Sequence, residues 1–139
     1  AMRTHGDDIA QVFSLLGVKP VWQQESRRVT GLEVIPLAEL GRPRIDVTVR
    51  ISGFFRDAFP NLIDLIDQAV QLVASLDESP DDNMIVKHLQ EDRANHQASR
   101  EQSGEQPSTS ESNPSLYRIF GSKPGTYGLC REAMLRRLA

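Results

Sequence analysis

The sequence contains little cysteine and has no excess of positive charge. Its single cysteine, Cys130, can form no internal disulfide and no multi-cysteine zinc site, which favours a reducing, cytoplasmic compartment. The formal net charge is -3. Nucleic acids and anionic membranes bind proteins through clustered Lys and Arg, so we expect no nucleic-acid partner.

Long apolar runs and a nucleotide loop are also missing. No apolar stretch approaches the ~20 residues that a membrane-spanning helix needs, and the N-terminal AMRTHGDDIAQVF turns acidic where a secretory signal would stay apolar. The glycine-rich GSKPGTYG lacks the Gly-Lys-Ser/Thr of a Walker loop, and its Pro and Gly are typical of a turn. We therefore predict no membrane span and no ATP bound by this chain.

The apolar pattern predicts helices alternating with short strands. Helices are predicted over residues 5–17, 60–76 and 84–98, and strands over residues 18–22, 32–37, 45–52 and 115–120. This order favours a layered α/β fold with a mostly parallel, Rossmann-like or flavodoxin-like sheet and flanking helices. Some antiparallel pairing is expected, because the first connections are too short for a crossover helix.

Composition divides the chain into three segments. Residues 1–98 carry the main α/β pattern, and residues 99–114 contain no large apolar side chain, which predicts a disordered polar insertion. Residues 115–139 hold the returning strand, the glycine loop and a tail that could form a short amphipathic helix.

Two glycine-bearing corners form the candidate binding site. ISGFFRDAFPN at 51–61 follows the third predicted strand, and GSKPGTYG at 121–128 follows the last one. Ligands of open α/β sheets gather beyond the carboxyl ends of strands. If the two strands are parallel and adjacent, Ser52, Gly53, Arg56 and Lys123 face one crevice, together with Ser122.

A structural alternative exists for the first corner. Phe54, Phe55 and Phe59 would fill the gap between helix and sheet, while Arg56 and Asp57 form a local ion pair.

Two further clusters also allow two interpretations. Arg42-Pro43-Arg44 beside Asp46 suits either recognition of a ligand carboxylate or a solvated turn. His88, Asp92 and His96 recur every four residues, which on a helix gives either a metal-binding stripe or, more commonly, a solvated face.

Two long stretches resemble the cobaltochelatase large-subunit family and, beyond it, the related large subunit of magnesium chelatase. They are the residues from MRTHGDDIA to position 98, including GVKPVWQQESRRVTGLEVIPLAELGRPRIDVTVRISGFFRDAFPNLIDLIDQAV, and RIFGSKPGTYG. The resemblance implies ATP-dependent insertion of cobalt into hydrogenobyrinic acid a,c-diamide during cobalamin biosynthesis. The large subunit binds the corrin ring, and separate AAA+ subunits hydrolyse ATP.

The resemblance leaves two other functions open. One is insertion of magnesium into protoporphyrin IX, and the other is a structural or subunit-docking module that never contacts the ring. The family's His-Gly...Glu motif is absent from this sequence, so no catalytic residue is carried over and the chain alone is expected to be inactive. Since family subunits are several times longer, we expect a piece of one, with the likeness ending after Gly128.

Overall fold

The computed structural model describes residues 6–26, 28–103, 114–122 and 136–137. The helices are α1 Asp7–Leu16, α2 Leu37–Leu40, α3 Gly53–Ala58, α4 Pro60–Ala74 and α5 Met84–Ser103, with a 3-10 turn at Pro114–Leu116. The strands are β1 Val18–Trp22, β2 Val29–Val34, β3 Val49–Ile51, β4 Ile119–Gly121 and β5 Arg136–Arg137. The predicted mixed α/β class is confirmed.

Helix α1 forms where the sequence predicts it. Its first turn is acidic, and one face buries Ile9, Phe13 and Leu16. The helix ends at Gly17, whose backbone is left-handed with φ 75°. A Cβ at this position would lie 2.7 Å from Leu40 Cδ2 and collide with the guanidinium of Arg44, so both the φ angle and the close packing require glycine.

Strands β1 and β2 form an antiparallel hairpin. Val18 pairs with Val34 and Trp22 with Val29, and residues 23–28 connect the strands. Such a short connection permits only antiparallel pairing. The predicted second strand, 32–37, is misplaced: β2 starts at Val29 to match β1, and α2 follows directly after Pro36.

The second sheet places β4 between β3 and β5. Val49 pairs with Ile119 and Ile51 with Gly121 in parallel, whereas β4 and β5 are antiparallel. Among the described strands, therefore, one pairing is parallel and two are antiparallel. They form two small sheets, and the predicted mostly parallel, Rossmann-like or flavodoxin-like sheet is not found among them.

The predicted strand 45–52 is much shorter than expected. Its first residues bond elsewhere: Ile45 N–H donates to Leu15 O, and Arg44 forms an isolated bridge with Asn83. Ile45 is therefore exposed, contrary to the predicted alternation, and ladder pairing begins only at Val49.

Helix α4 organises the core. It buries Ile63, Ile66, Ala69, Val70 and Val73, and packs against α1, β2 and α5. Ile51 of β3 and Ile119 of β4 belong to the same apolar cluster. The prediction of a sheet-packed helix with Pro60 in its first turn is confirmed, where a missing N–H costs little.

Helix α5 is longer and more polar than α4. It continues to Ser103, whereas the predicted helix ends near Ala98, so residues 99–103 are helical where disorder was predicted. Residues 104–113 of the predicted insertion lie outside the described residues. In the described part of the chain, no helix has the length and apolar character needed to cross a membrane.

Candidate functional site

The two predicted corners lie side by side at the end of the β3–β4 pair. Ile51 is the last residue of β3 and pairs with Gly121, the last residue of β4. Because the two strands run parallel, Ser52 and Ser122 leave the sheet at the same edge. The prediction that these strands are parallel and adjacent is confirmed.

Ser52 begins a short helix that the sequence pattern does not predict. Its hydroxyl oxygen accepts a hydrogen bond from Phe55 N–H at 3.1 Å and so caps α3. Gly53, the first helical residue, is buried. The signal was present in the sequence, since serine is a favoured cap, but six helical residues are too few for a periodic apolar face.

Arg56 joins the two corners. Its Nη1 donates to the carbonyl oxygen of Ser122 at 2.7 Å, while Nε and Nη2 donate to the Asp57 carboxylate at 2.8 and 3.1 Å. Only 9% of the Arg56 side chain is exposed. The predicted local pair with Asp57 is confirmed, and the contact with Ser122 adds a tie between segments far apart in sequence. Lys123 lies outside the described residues.

The aromatic residues of the first corner do not act as one group. Phe55 packs against Phe59, with ring centroids 5.4 Å apart, and also contacts the core. Phe54 is 56% exposed, so the prediction that all three rings fill the gap between helix and sheet is wrong for Phe54.

A buried arginine cluster lies away from this edge. Arg44 is fully buried and forms a two-point ion pair with Glu78, with Nε and Nη2 at 2.7 and 2.9 Å from the two carboxylate oxygens. Its Nη1 donates to Gly17 O at 2.8 Å, and Nη2 donates to Ile35 O at 2.7 Å. The predicted solvated turn is therefore wrong for Arg44, and ligand binding by its enclosed guanidinium has no room.

Asn83 completes this cluster and caps α5. Its Oδ1 accepts from the N–H groups of Ile85 and Val86, and its Nδ2 donates to Glu78 Oε2 at 3.0 Å. The hydrogen bond from Arg44 lowers the pKa of Glu78, and this effect outweighs the opposing effect of burial. Sequence reasoning missed this cluster because its members come from three separate, non-periodic segments.

A second ion cluster is centred on Asp46. Arg118 Nε and Nη2 lie 2.6 and 2.7 Å from the two Asp46 oxygens, and His88 Nδ1 lies 2.6 Å from Oδ2. Burial alone would raise the pKa of Asp46, but the hydrogen bonds from Arg118 and His88 outweigh it, so the pKa lies below the usual range. Among the described residues, no three metal-ligating side chains converge. The His96 side chain lies outside that description.

Comparisons with known proteins identify the class to which these features belong. The family model described as CobN/Magnesium Chelatase matches residues 1–137. The chain is 49% identical, over 134 residues, to the aerobic cobaltochelatase subunit CobN of a Sinorhizobium species, covering 96% of this chain and 10% of that protein. It is also 49% identical, but over only 90 residues, to the chloroplastic magnesium-chelatase protein ChlH of Oryza sativa subsp. indica, covering 65% of this chain and 6% of that protein.

A solved structure shows the same fold. The catalytic subunit of cobaltochelatase from Mycobacterium tuberculosis superposes with a TM-score of 0.73 and 56% sequence identity, over 88% of this chain and 9% of that one. The chain belongs to the CobN/magnesium chelatase family, as its resemblance predicted. It spans about a tenth of the length of the cobaltochelatase relatives it matches. The family match reaches residue 137, so the prediction that the likeness ends at Gly128 is wrong.

Proposed function

We propose that this chain is part of the tetrapyrrole-binding subunit of an ATP-dependent cobaltochelatase, an enzyme of the ligase class in the cytoplasm. The complete enzyme inserts cobalt, its substrate metal, into hydrogenobyrinic acid a,c-diamide. Partner AAA+ subunits hydrolyse ATP, and this chain alone performs no insertion. Family membership and the identity to CobN support this proposal.

Within that subunit, we propose that the edge formed by the two corners contributes to the wall of the tetrapyrrole cleft. Ser52, Gly53, Arg56 and Lys123 are the candidate contacts. The observation that carries this assignment is the parallel β3–β4 pair, which brings both corners to one edge. Corrin substrates carry several carboxylates, and Arg and Lys side chains recognise carboxylates through charge-assisted hydrogen bonds.

The arginine and the lysine have different expected roles. Arg56 already donates from Nε, Nη1 and Nη2 within the chain, so it would hold the edge in shape and add positive charge beside the ring. Lys123 directly follows Ser122, whose carbonyl Arg56 holds, and its ammonium would reach a ring carboxylate. We therefore expect Lys123 to matter more for direct ring contact.

Titration of the full-length subunit with the corrin substrate, followed by the absorbance of the ring, tests this assignment. Loss of one charge-assisted hydrogen bond costs roughly 1.5–3 kcal/mol, so Lys123→Ala should weaken binding by about ten- to a hundredfold. Arg56→Ala should weaken binding as well. Asp57→Asn is the matched control, since it loosens Arg56 but leaves its positive charge. Unchanged affinity in both alanine variants would remove the assignment.

One observation favours a second function, a structural or docking module without ring contact. The Arg56 donors that define the edge are directed to groups of the chain itself. In that case the chain would capture the AAA+ subunits in a pull-down and bind no tetrapyrrole. Tetrapyrrole binding lost in Lys123→Ala would decide against it.

The metal of the full enzyme is proposed from sequence similarity. The chain has the same 49% identity to CobN and to the magnesium-chelatase protein ChlH, but the similarity to CobN extends over 96% of the chain against 65%, which supports cobalt. The test is metal insertion by the complete protein with its partners, offered each metal with each ring. Turnover with magnesium and protoporphyrin IX alone would reassign it.

A further inference from the structure

His88 is held by a network that fixes the orientation of its ring. Its Nδ1 lies 2.6 Å from Asp46 Oδ2. A carboxylate only accepts hydrogen bonds, so Nδ1 carries the hydrogen atom and donates it to Asp46. Nε2 is then the nitrogen whose lone pair is available in the neutral ring.

The carboxylate that orients His88 is itself fixed. Arg118 donates to both Asp46 oxygens, and the same guanidinium donates through Nη1 to the carbonyl oxygen of Ser115 at 2.7 Å. The Asp46 side chain is only 9% exposed. Three segments, namely the approach to β3, helix α5 and the approach to β4, therefore hold one imidazole in one orientation.

This arrangement has the geometry of a prepared metal ligand. Histidines that bind metals generally donate their second ring nitrogen to a carboxylate, which fixes the tautomer and the ring orientation. The His88 side chain is 48% exposed, so solvent and dissolved ions reach it. Asp92 stands one helical turn further along α5, at the spacing that places two side chains on the same face.

We propose that His88 binds a divalent first-row transition-metal ion through Nε2, with Asp92 as a second ligand and Asp46 as the positioning carboxylate. An imidazole and a carboxylate suit Co²⁺, Ni²⁺ or Zn²⁺, whereas Mg²⁺ prefers oxygen ligands alone. Two protein ligands leave the remaining coordination positions to water, so the ion can exchange. This inference does not depend on the proposed function.

Titration of the chain with Co²⁺, followed by visible absorbance, tests the proposal. The decisive variant is His88→Asn. The asparagine amide can still donate to Asp46 near the position of Nδ1, but it has no counterpart of Nε2. We expect binding of one ion by the parent chain and at least tenfold weaker binding by His88→Asn. Melting curves should show that this variant folds like the parent.

Two further variants separate the roles of the carboxylates. Asp46→Asn removes the orienting carboxylate and should weaken Co²⁺ binding roughly 10- to 100-fold, as changes behind a metal-bound histidine do. Asp92→Asn should give a smaller loss. Asp67→Asn is the matched control, because Asp67 lies on another helix and bonds to Gln71 at the same four-residue spacing. Its Co²⁺ affinity should be unchanged.

The ion's chemistry gives an independent check. An equal concentration of Mg²⁺ should not displace Co²⁺, whereas Zn²⁺ should. If the parent chain fails to bind Co²⁺, or if His88→Asn binds it as tightly as the parent, the Asp46 cluster is only a tie between α5 and the second sheet, and the proposal is wrong.

Discussion

The molecule contains two arginines that join distant segments, and their surroundings differ. Arg44 is fully enclosed, with its ion-pair and carbonyl partners all between residues 16 and 78. Arg56 sits at the edge of the second sheet and reaches Ser122, across the undescribed residues 104–113. The comparison indicates that Arg44 holds the fold of the segment, whereas Arg56 shapes an edge directed at something outside it.

The largest expected effect is at the enclosed arginine. Arg44→Ala leaves Glu78 as a buried charge without its ion-pair partner and opens a cavity beside Gly17. Removing one partner of a buried pair costs about 3–5 kcal/mol. Denaturant unfolding followed by circular dichroism measures this loss, with Arg42→Ala as the neighbouring control.

The contrast with the edge is then direct. Arg56→Ala should cost less stability than Arg44→Ala, because its Asp57 partner is 44% exposed and regains water. Equal losses in the two variants would contradict the division between an enclosed fold-holding cluster and an edge.

The next effect tests the close approach at the end of α1. Gly17→Ala forces a left-handed backbone on a residue with a Cβ and pushes that atom into Arg44 and Leu40. Strain at such a position costs of order 1–3 kcal/mol. Gly31→Ala is the matched control, since its Cβ would meet nothing within 4 Å. Similar melting temperatures for the two variants would show that Arg44 does not need the space above Gly17.

A pH titration tests the charge of the enclosed cluster. The folded-state pKa of Glu78 is lowered by Arg44, so Glu78 stabilises the fold above its unfolded pKa of about 4.3. This contribution is lost as the pH falls from that value through the folded pKa, because the unfolded chain then binds the proton more readily. Glu78→Gln should be less stable at neutral pH, and its stability should fall less steeply between pH 5 and 3. An unchanged slope would contradict the assignment.

The sequence predicts some of these features and not others, for physical reasons. Helices α1 and α4 are predicted because each presents a periodic apolar face, and the meeting of the two corners follows from the rule for parallel strands. The Arg44 cluster is not predictable in this way. Its partners, Gly17, Ile35 and Glu78, are related by tertiary packing alone. Helix α3 was missed because its only signal is a single capping serine.

The smallest expected effect is at that serine and completes the comparison. Ser52→Ala removes the oxygen that accepts from Phe55 N–H, and loss of such a cap costs about 1 kcal/mol. Since α3 carries Arg56, loosening its first turn should also weaken the contact with Ser122. Hydrogen exchange measures both effects: the amides of α3 should exchange faster, and those of α4 should not. Ser52→Asp restores a capping oxygen and should restore protection. If α4 loses protection equally, the edge and the core form one cooperative unit, and Arg56 stabilises the fold as Arg44 does.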